Sequence, residues 1–169
     1  MNAKTGKRTT LAAVAGAIAL LLLQQPAFAE GNCKEVKGKL VEVFSGGNSA
    51  PGTITQGGIL NGRTLAVFNS AAFPTPAPTI VSFSVDMTIT TDHGQLKVSS
   101  VRLYDFVTGR GNDLGQINPK TSTGRFAGAT GVLFLALTKT IGTSPPFTYP
   151  SDLTGQICLA TGDTEQDHD

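Results

Sequence analysis

Val81, Phe83, Val85, Met87 and Ile89 alternate with Ser82, Ser84, Asp86, Thr88 and Thr90, the cleanest period of two in the chain. Successive side chains of an extended strand point to opposite faces, so this stretch must bury one face and leave the other wet or lining a polar cavity. A helix would scatter the same residues around its circumference. Asp92-His93-Gly94 then supplies a hairpin turn, and residues 95–106 read as the return strand. The apolar parity of that return shifts between Leu96/Val98 and Val101/Leu103, which predicts a β-bulge near Ser99-Ser100.

The rest of the chain follows the same logic. Residues 36–44 read as a strand that ends at the turn Ser45-Gly46-Gly47-Asn48. Thr53-Ile54-Thr55 and residues 64–68 are short extended pieces around Gly57-Gly58 and Asn61-Gly62. Residues 69–79 carry Pro74, Pro76 and Pro78, which cannot donate to a sheet ladder, so an exposed polyproline-like connection is expected. Residues 108–120, rich in Gly, Asn and Asp, predict a loop with a short strand near 114–117. Residues 132–140 are apolar on both faces and predict a central strand. Residues 142–150, with Pro145, Pro146 and Pro150, predict a long connection, and residues 153–160 the last strand. The expected fold is all-β, a small antiparallel up-and-down β-barrel of about eight strands, because a meander of this kind must close or protect its edges.

At the N-terminus, Lys4, Lys7 and Arg8 precede an apolar run at residues 11–23, and Ala27-Phe28-Ala29 is a small-residue cleavage site. This three-part pattern reads as a signal peptide cleaved after Ala29. The run is shorter than the roughly 20 apolar residues that span a bilayer, so no membrane span is expected after cleavage. Glu30-Gly31-Asn32 lacks the small apolar residues of a lipid-attachment site, so Cys33 is not read as a lipid anchor. The expected organisation is a leader at residues 1–29, one barrel domain at 30–160 and a flexible acidic tail at 161–169, in a protein that is secreted or periplasmic. Three of the thirteen basic residues fall in the leader, against twelve acidic residues in all. Without a cluster of Lys and Arg, neither nucleic acid nor an anionic membrane is an expected partner.

Cys33 and Cys158 are the two cysteines, which leaves one pairing. A Cys33–Cys158 bridge would tie the first strand to the last, and these are neighbours when a meander closes into a barrel. Two lone cysteines without CxxC spacing or adjacent histidines do not suggest a metal or redox pair.

The stretch Ser122-Thr123-Gly124-Arg125-Phe126-Ala127-Gly128-Ala129-Thr130-Gly131 is punctuated by Gly124, Gly128 and Gly131, which permit positive φ and close backbone approach where a chain crosses the end of a barrel. Phe126 is the expected plug. From Thr123 to Gly131 this sequence resembles the signature of small secreted bacterial proteins similar to the allene oxide cyclase and dirigent barrels, and Gly155-Gln156-Ile157 resembles the closing strand of that group. The resemblance covers roughly residues 80–160. It implies an eight-stranded calycin-like barrel whose mouth could hold a small apolar molecule, no cofactor, and assembly into trimers through sheet faces. Allene oxide cyclases isomerise an oxylipin epoxide, and dirigent proteins orient phenoxy radicals during coupling. No local motif carries their functional residues onto this chain, so no catalytic residue is assigned.

Among residues with chemistry, His93 beside Asp92 reads as a hairpin tip rather than an acid/base pair. Asp167-His168-Asp169 reads as a solvated terminus rather than a metal site. Neither a GxGxxG fingerprint nor a Gly-x-Ser-x-Gly elbow is present. Asp86, Arg102, Tyr104 and Asp105 form the ligand-binding candidates, since their strands flank one turn. The weightier reading of the four is a solvated outer face with cross-strand charge pairs, and the other is a polar pocket. Arg125 is expected to pair with a loop acid such as Asp113. The leading functional expectation is an exported, non-enzymatic module that binds a small apolar ligand or an envelope partner. Alternatives are a cofactor-free isomerase or stereochemical guide, and a structural envelope protein contacting its partners through residues 69–79.

Overall fold

The structure is a computed structural model and describes residues 33–160. The leader at 1–29 and the tail at 161–169 with His168 lie outside the described residues. The alternating stretch forms β5 (Ile80–Thr91), which turns at Asp92 and His93 into β6 (Gly94–Asp105). Before them come β1 (Cys33–Phe44), β2 (Ser49–Thr55), β3 (Gly62–Phe68) and β4 (Phe73–Pro74); after them come β7 (Arg110–Ile117), β8 (Thr130–Leu137) and β9 (Phe147–Cys158). Neighbours along the chain pair antiparallel, except that β3 passes over the two-residue β4 to pair with β5, and β9 returns to pair with β1. Eight strands therefore close an up-and-down barrel, the fold expected from the sequence, and the short β4 is added at one edge. β4 takes over beside β5 at Val81 and Ser82, beyond the end of β3. A proline is tolerable in so short an edge piece.

Alternation sets the interior. Val36 and Leu40 of β1, Ile54 of β2, Val85, Met87 and Ile89 of β5, Leu96 and Val98 of β6, Leu133 and Leu135 of β8, and Leu153 and Ile157 of β9 bury one continuous apolar core. Phe126 plugs one end of it, fully buried. The turn that carries Phe126 is a short 3-10 segment, Gly124–Phe126, held across the β5–β6 hairpin by hydrogen bonds from Arg125 N to His93 O (2.8 Å) and from Thr123 N to Gln95 O (2.8 Å). Gly124 sits at φ +62 with its α-carbon against the His93 and Gly94 backbone, where no Cβ fits. Cys33 and Cys158 face each other at the first step of the β1–β9 ladder and are joined by a disulfide.

Several sequence expectations are corrected. No bulge interrupts β6: its register to β5 runs unbroken from Ile80↔Asp105 to Thr91↔Gly94. The parity change has another cause. Ser100, Arg102 and Tyr104 keep the inward positions, while Val101 and Leu103 are apolar residues on the exposed outer face. Residues 110–117 form a full strand rather than a loop with a short strand. Its inward positions are Gly111, Asp113, Gly115 and Ile117, and a Cβ at Gly115 would lie 2.5 Å from Val98 Cγ1. Crowding inside the barrel, not a turn, selects that glycine. The long connection ends at 146, and β9 starts at Phe147 with Pro150 inside it. Pro150 lies one step beyond the last β8 pair, Leu137↔Ser151, so its missing N–H costs no ladder bond there. β8 is apolar on both faces, as read, yet its outward Val132 and Phe134 are exposed. Phe134 continues a row across the outer surface with Leu114 and Val101.

Candidate functional site

At the end opposite Phe126, the inward positions stop being aliphatic. Continuing the buried parity of β1 past Leu40 reaches Glu42, β6 past Val98 reaches Arg102 and Tyr104, β7 reaches Asp113, and β9 reaches Ser151 and Tyr149. Three charges thus meet inside the barrel wall. Arg102 Nη1 lies 3.0 Å from Glu42 Oε2, and its Nη2 and Nε each lie 3.0 Å from Asp113 Oδ2. The Glu42 side chain is 1% exposed and that of Arg102 12%. Buried charges persist only when paired and hydrogen-bonded, and the planar guanidinium meets two carboxylates at once. The Arg102 guanidinium also lies over the Phe68 ring, 5.8 Å from its centroid.

The electrostatics are lopsided, because one cation serves two carboxylates. Burial pushes the Glu42 carboxyl above its ordinary value of 4.5, against the pull of Arg102 and with the help of Asp113. Burial also disfavours the Arg102 charge, but Glu42 and Asp113 together outweigh it and raise its pKa, so Arg102 stays protonated. A carboxyl whose folded pKa is raised stabilises the fold fully below 4.5 and loses that contribution as pH climbs through the raised value. Relative to Glu42→Gln, the wild-type protein is therefore expected to lose thermal stability as pH rises through that window. Melting curves on both proteins check this, and a wild-type advantage that grows with pH would contradict it.

Above the charges the wall becomes aromatic. Phe44, Phe68 and Phe83 form an edge-to-face chain with centroids 5.8 Å apart at each step. Tyr104 meets Tyr149 at 6.1 Å, and its hydroxyl pairs with Thr140 Oγ1 at 2.9 Å. Burial, then the neighbouring Tyr104, raises the Tyr149 pKa. Between Phe68, Tyr104, Tyr149 and Leu137 is a cleft open to the outside with about 50 Å³ of free volume, lined also by Glu42, Arg102 and Asp113. Below the floor, a gap of about 10 Å³ lies among the core residues Ile54, Met87, Ile89, Leu133 and Leu153. One feature of the floor is unbalanced: Asp113 Oδ1 is buried and accepts no hydrogen bond from any described residue. Nearly all buried polar atoms have a partner, so an oxygen left without one weighs against the fold.

The candidates from the sequence separate in space. Arg102 and Tyr104 enter the cleft together. Asp86 lies on the outer face, bonded to Asn69 Nδ2 (2.6 Å) and Ser99 Oγ (2.7 Å), and Asp105 caps the β6–β7 turn through Val107 N (3.0 Å) and Thr108 Oγ1 (2.9 Å). Those two bonds, Thr108 foremost, lower the Asp105 pKa. Asp113 pairs with Arg102 and not with Arg125, because Arg125 belongs to the turn at the closed end. His93 and Asp92 are exposed at the hairpin tip. Glu42, Asp113, Tyr149 and Ser151 were missed. Their signal is a polar residue in the buried parity of a strand, readable for Glu42 two places after Leu40. Among the described residues no group of three or more His, Cys, Asp or Glu is placed to hold a metal.

Fold and cleft together define a small antiparallel β-barrel with a packed lower half and a polar-floored aromatic mouth. No family model, curated protein or solved structure matches the chain.

Proposed function

We propose that the barrel mouth binds one end of a small, largely apolar amphiphile, with a hydroxyl or amide head donating to Asp113 Oδ1. Asp113, which lines the aromatic cleft and whose Oδ1 is buried without a hydrogen-bond partner among the described residues, carries this reading. Ligand sites are commonly apolar concavities with a few fixed polar groups, and barrel mouths are a frequent location. The free volume of about 50 Å³ admits a head group and a short part of the chain, so the remainder of the ligand lies among the rim loops. The leader-like residues 1–29 and the Cys33–Cys158 bridge support export to an oxidising compartment.

Displacement of the fluorescent apolar probe N-phenylnaphthylamine by long-chain alcohols, amides and acids tests the reading. Saturable one-site binding is expected, with alcohols and amides displacing the probe better than carboxylates, which Asp113 repels. Leu137→Trp, which fills the cleft with an indole, is expected to weaken probe binding by about ten-fold or more. A wild-type protein that binds neither probe nor amphiphile removes the proposal whatever the variant does.

A second reading is a cofactor-free isomerase or stereochemical guide, in line with the resemblance of Thr123 through Gly131 to the allene oxide cyclase and dirigent group. Glu42 favours it, since it lines the cleft and burial raises its pKa, a perturbation common at acid/base sites. Unchanged product ratios in oxylipin cyclisation and phenol coupling, with purified protein present, would dispose of it for those substrates.

A further inference from the structure

Apolar side chains in the connections are treated oppositely at the two ends of the barrel. At the closed end Leu60, Phe126 and Ala129 fold inward and are buried. At the mouth end Phe73 of β4 is 57% exposed, Phe106 and Val107 of the β6–β7 turn 62% and 76%, and Ile141 of the β8–β9 connection 61%. All four sit on segments at the same end of the barrel as the cleft, where β5 begins, β6 ends, β8 ends and β9 begins. Loop tips normally carry polar residues, and apolar ones kept in water mark a surface that meets something apolar.

The charge of the rim narrows what that surface meets. Residues 69–79 hold no charged side chain, residues 138–146 hold Lys139 alone, and the β6–β7 turn holds Asp105 and Arg110. The Asp105 carboxylate is already occupied by Val107 N and Thr108 Oγ1. A nearly neutral ring tipped with aromatic and branched apolar side chains suits the interfacial zone of a bilayer, where such residues partition without electrostatic help. It suits a protein partner less well, because a protein interface is built on a closely packed apolar centre, and the centre of this ring is the mouth of a cleft lined by Glu42, Arg102 and Asp113. A row of exposed apolar residues, Val101, Leu114 and Phe134, lies instead on the side of the barrel.

We propose that the mouth rim docks on a lipid membrane by shallow insertion of Phe73, Phe106, Val107 and Ile141, bringing the cleft to the bilayer surface. Docking of this kind is independent of anionic lipid and of salt, consistent with a chain that has no cluster of Lys and Arg. It goes beyond ligand binding and stands or falls separately from it.

Flotation of the protein, purified from its own host, with vesicles of phosphatidylcholine and phosphatidylethanolamine is the test. The wild type is expected to float with the vesicles at low and high salt. Val107→Asp/Ile141→Asp is expected to lower the bound fraction by about ten-fold or more, while Leu114→Ser, equally apolar and exposed but on the barrel side, leaves it unchanged. Circular dichroism and affinity for N-phenylnaphthylamine, measured on each variant, separate lost docking from lost fold or a lost cleft. A wild type that stays with the soluble fraction, binding abolished by salt, or equal flotation of the double variant would each overturn the proposal. Self-association that disappears in the double variant, without vesicle binding by the wild type, would assign the rim to a second copy of the chain and overturn it as well.

Discussion

Arg102→Met is expected to destabilise the protein by about 3–5 kcal/mol, the cost of leaving buried carboxylates without their cation. Glu42 and Asp113 both direct oxygens at this guanidinium and both are buried, so neither can turn to water when it is removed. Their repulsion adds to the desolvation penalty, and the protein can relieve it only by taking up a proton. The loss should therefore shrink at acid pH, where the carboxyls are neutral. The triple replacement Glu42→Leu/Arg102→Met/Asp113→Leu should recover most of the stability, because an apolar set of similar volume is often as stable as a buried ion network or more so. It should not recover amphiphile binding, since the acceptor is gone. Urea unfolding of the single and triple variants measures the first part, and probe displacement the second. A single variant that loses less than about 1 kcal/mol would mean that the charges are exposed in solution, as a surface pair is worth no more than that.

The second large effect is at the other end of the molecule. Cys33 and Cys158 are 125 residues apart in sequence and are opposite partners in the β1–β9 ladder, so the bridge closes nearly the whole described chain. In the chain-entropy view, a loop of that size contributes about 4–5 kcal/mol through the unfolded state. Unfolding of Cys33→Ser/Cys158→Ser, compared with the wild type with and without reductant, should show a loss of that order. The cleft should be indifferent to it. β1 and β9 remain paired from Lys34↔Ile157 to Phe44↔Phe147, and the bridge lies at the plugged end. Unchanged stability on reduction would contradict the claim that this pairing closes the barrel in solution.

Strand content and closure were legible because alternation and turn chemistry are local. Val81 to Ile89 imposed the parity of β5, Asp92-His93-Gly94 the hairpin, and the glycines around Phe126 the crossing of the barrel end. The site was only half legible, for a physical reason. A barrel has two inward environments, an aliphatic core and a mouth, and inward parity does not announce where one gives way to the other. Reading Val101 and Leu103 as core puts Arg102 on the outer face. In fact the apolar pair is outside and the arginine inside. Asp113 lies in a stretch whose Gly, Asn and Asp content reads as a loop, and only the packing of Gly115 against Val98 shows why a strand carries that glycine. Long-range neutralisation, Glu42 to Arg102 across 60 residues, leaves no trace in local sequence.

Native mass spectrometry of the protein isolated from its own host, followed by denaturing analysis of the same sample, tests the central claim most directly. The account predicts a small additional mass, lost on denaturation, whose fragments show an aliphatic or aromatic body with a hydroxyl or amide head. It also predicts that the triple variant Glu42→Leu/Arg102→Met/Asp113→Leu arrives empty. A protein that carries no such mass, and that takes up none from a mixture of long-chain alcohols and amides added in excess, would contradict a ligand-binding mouth.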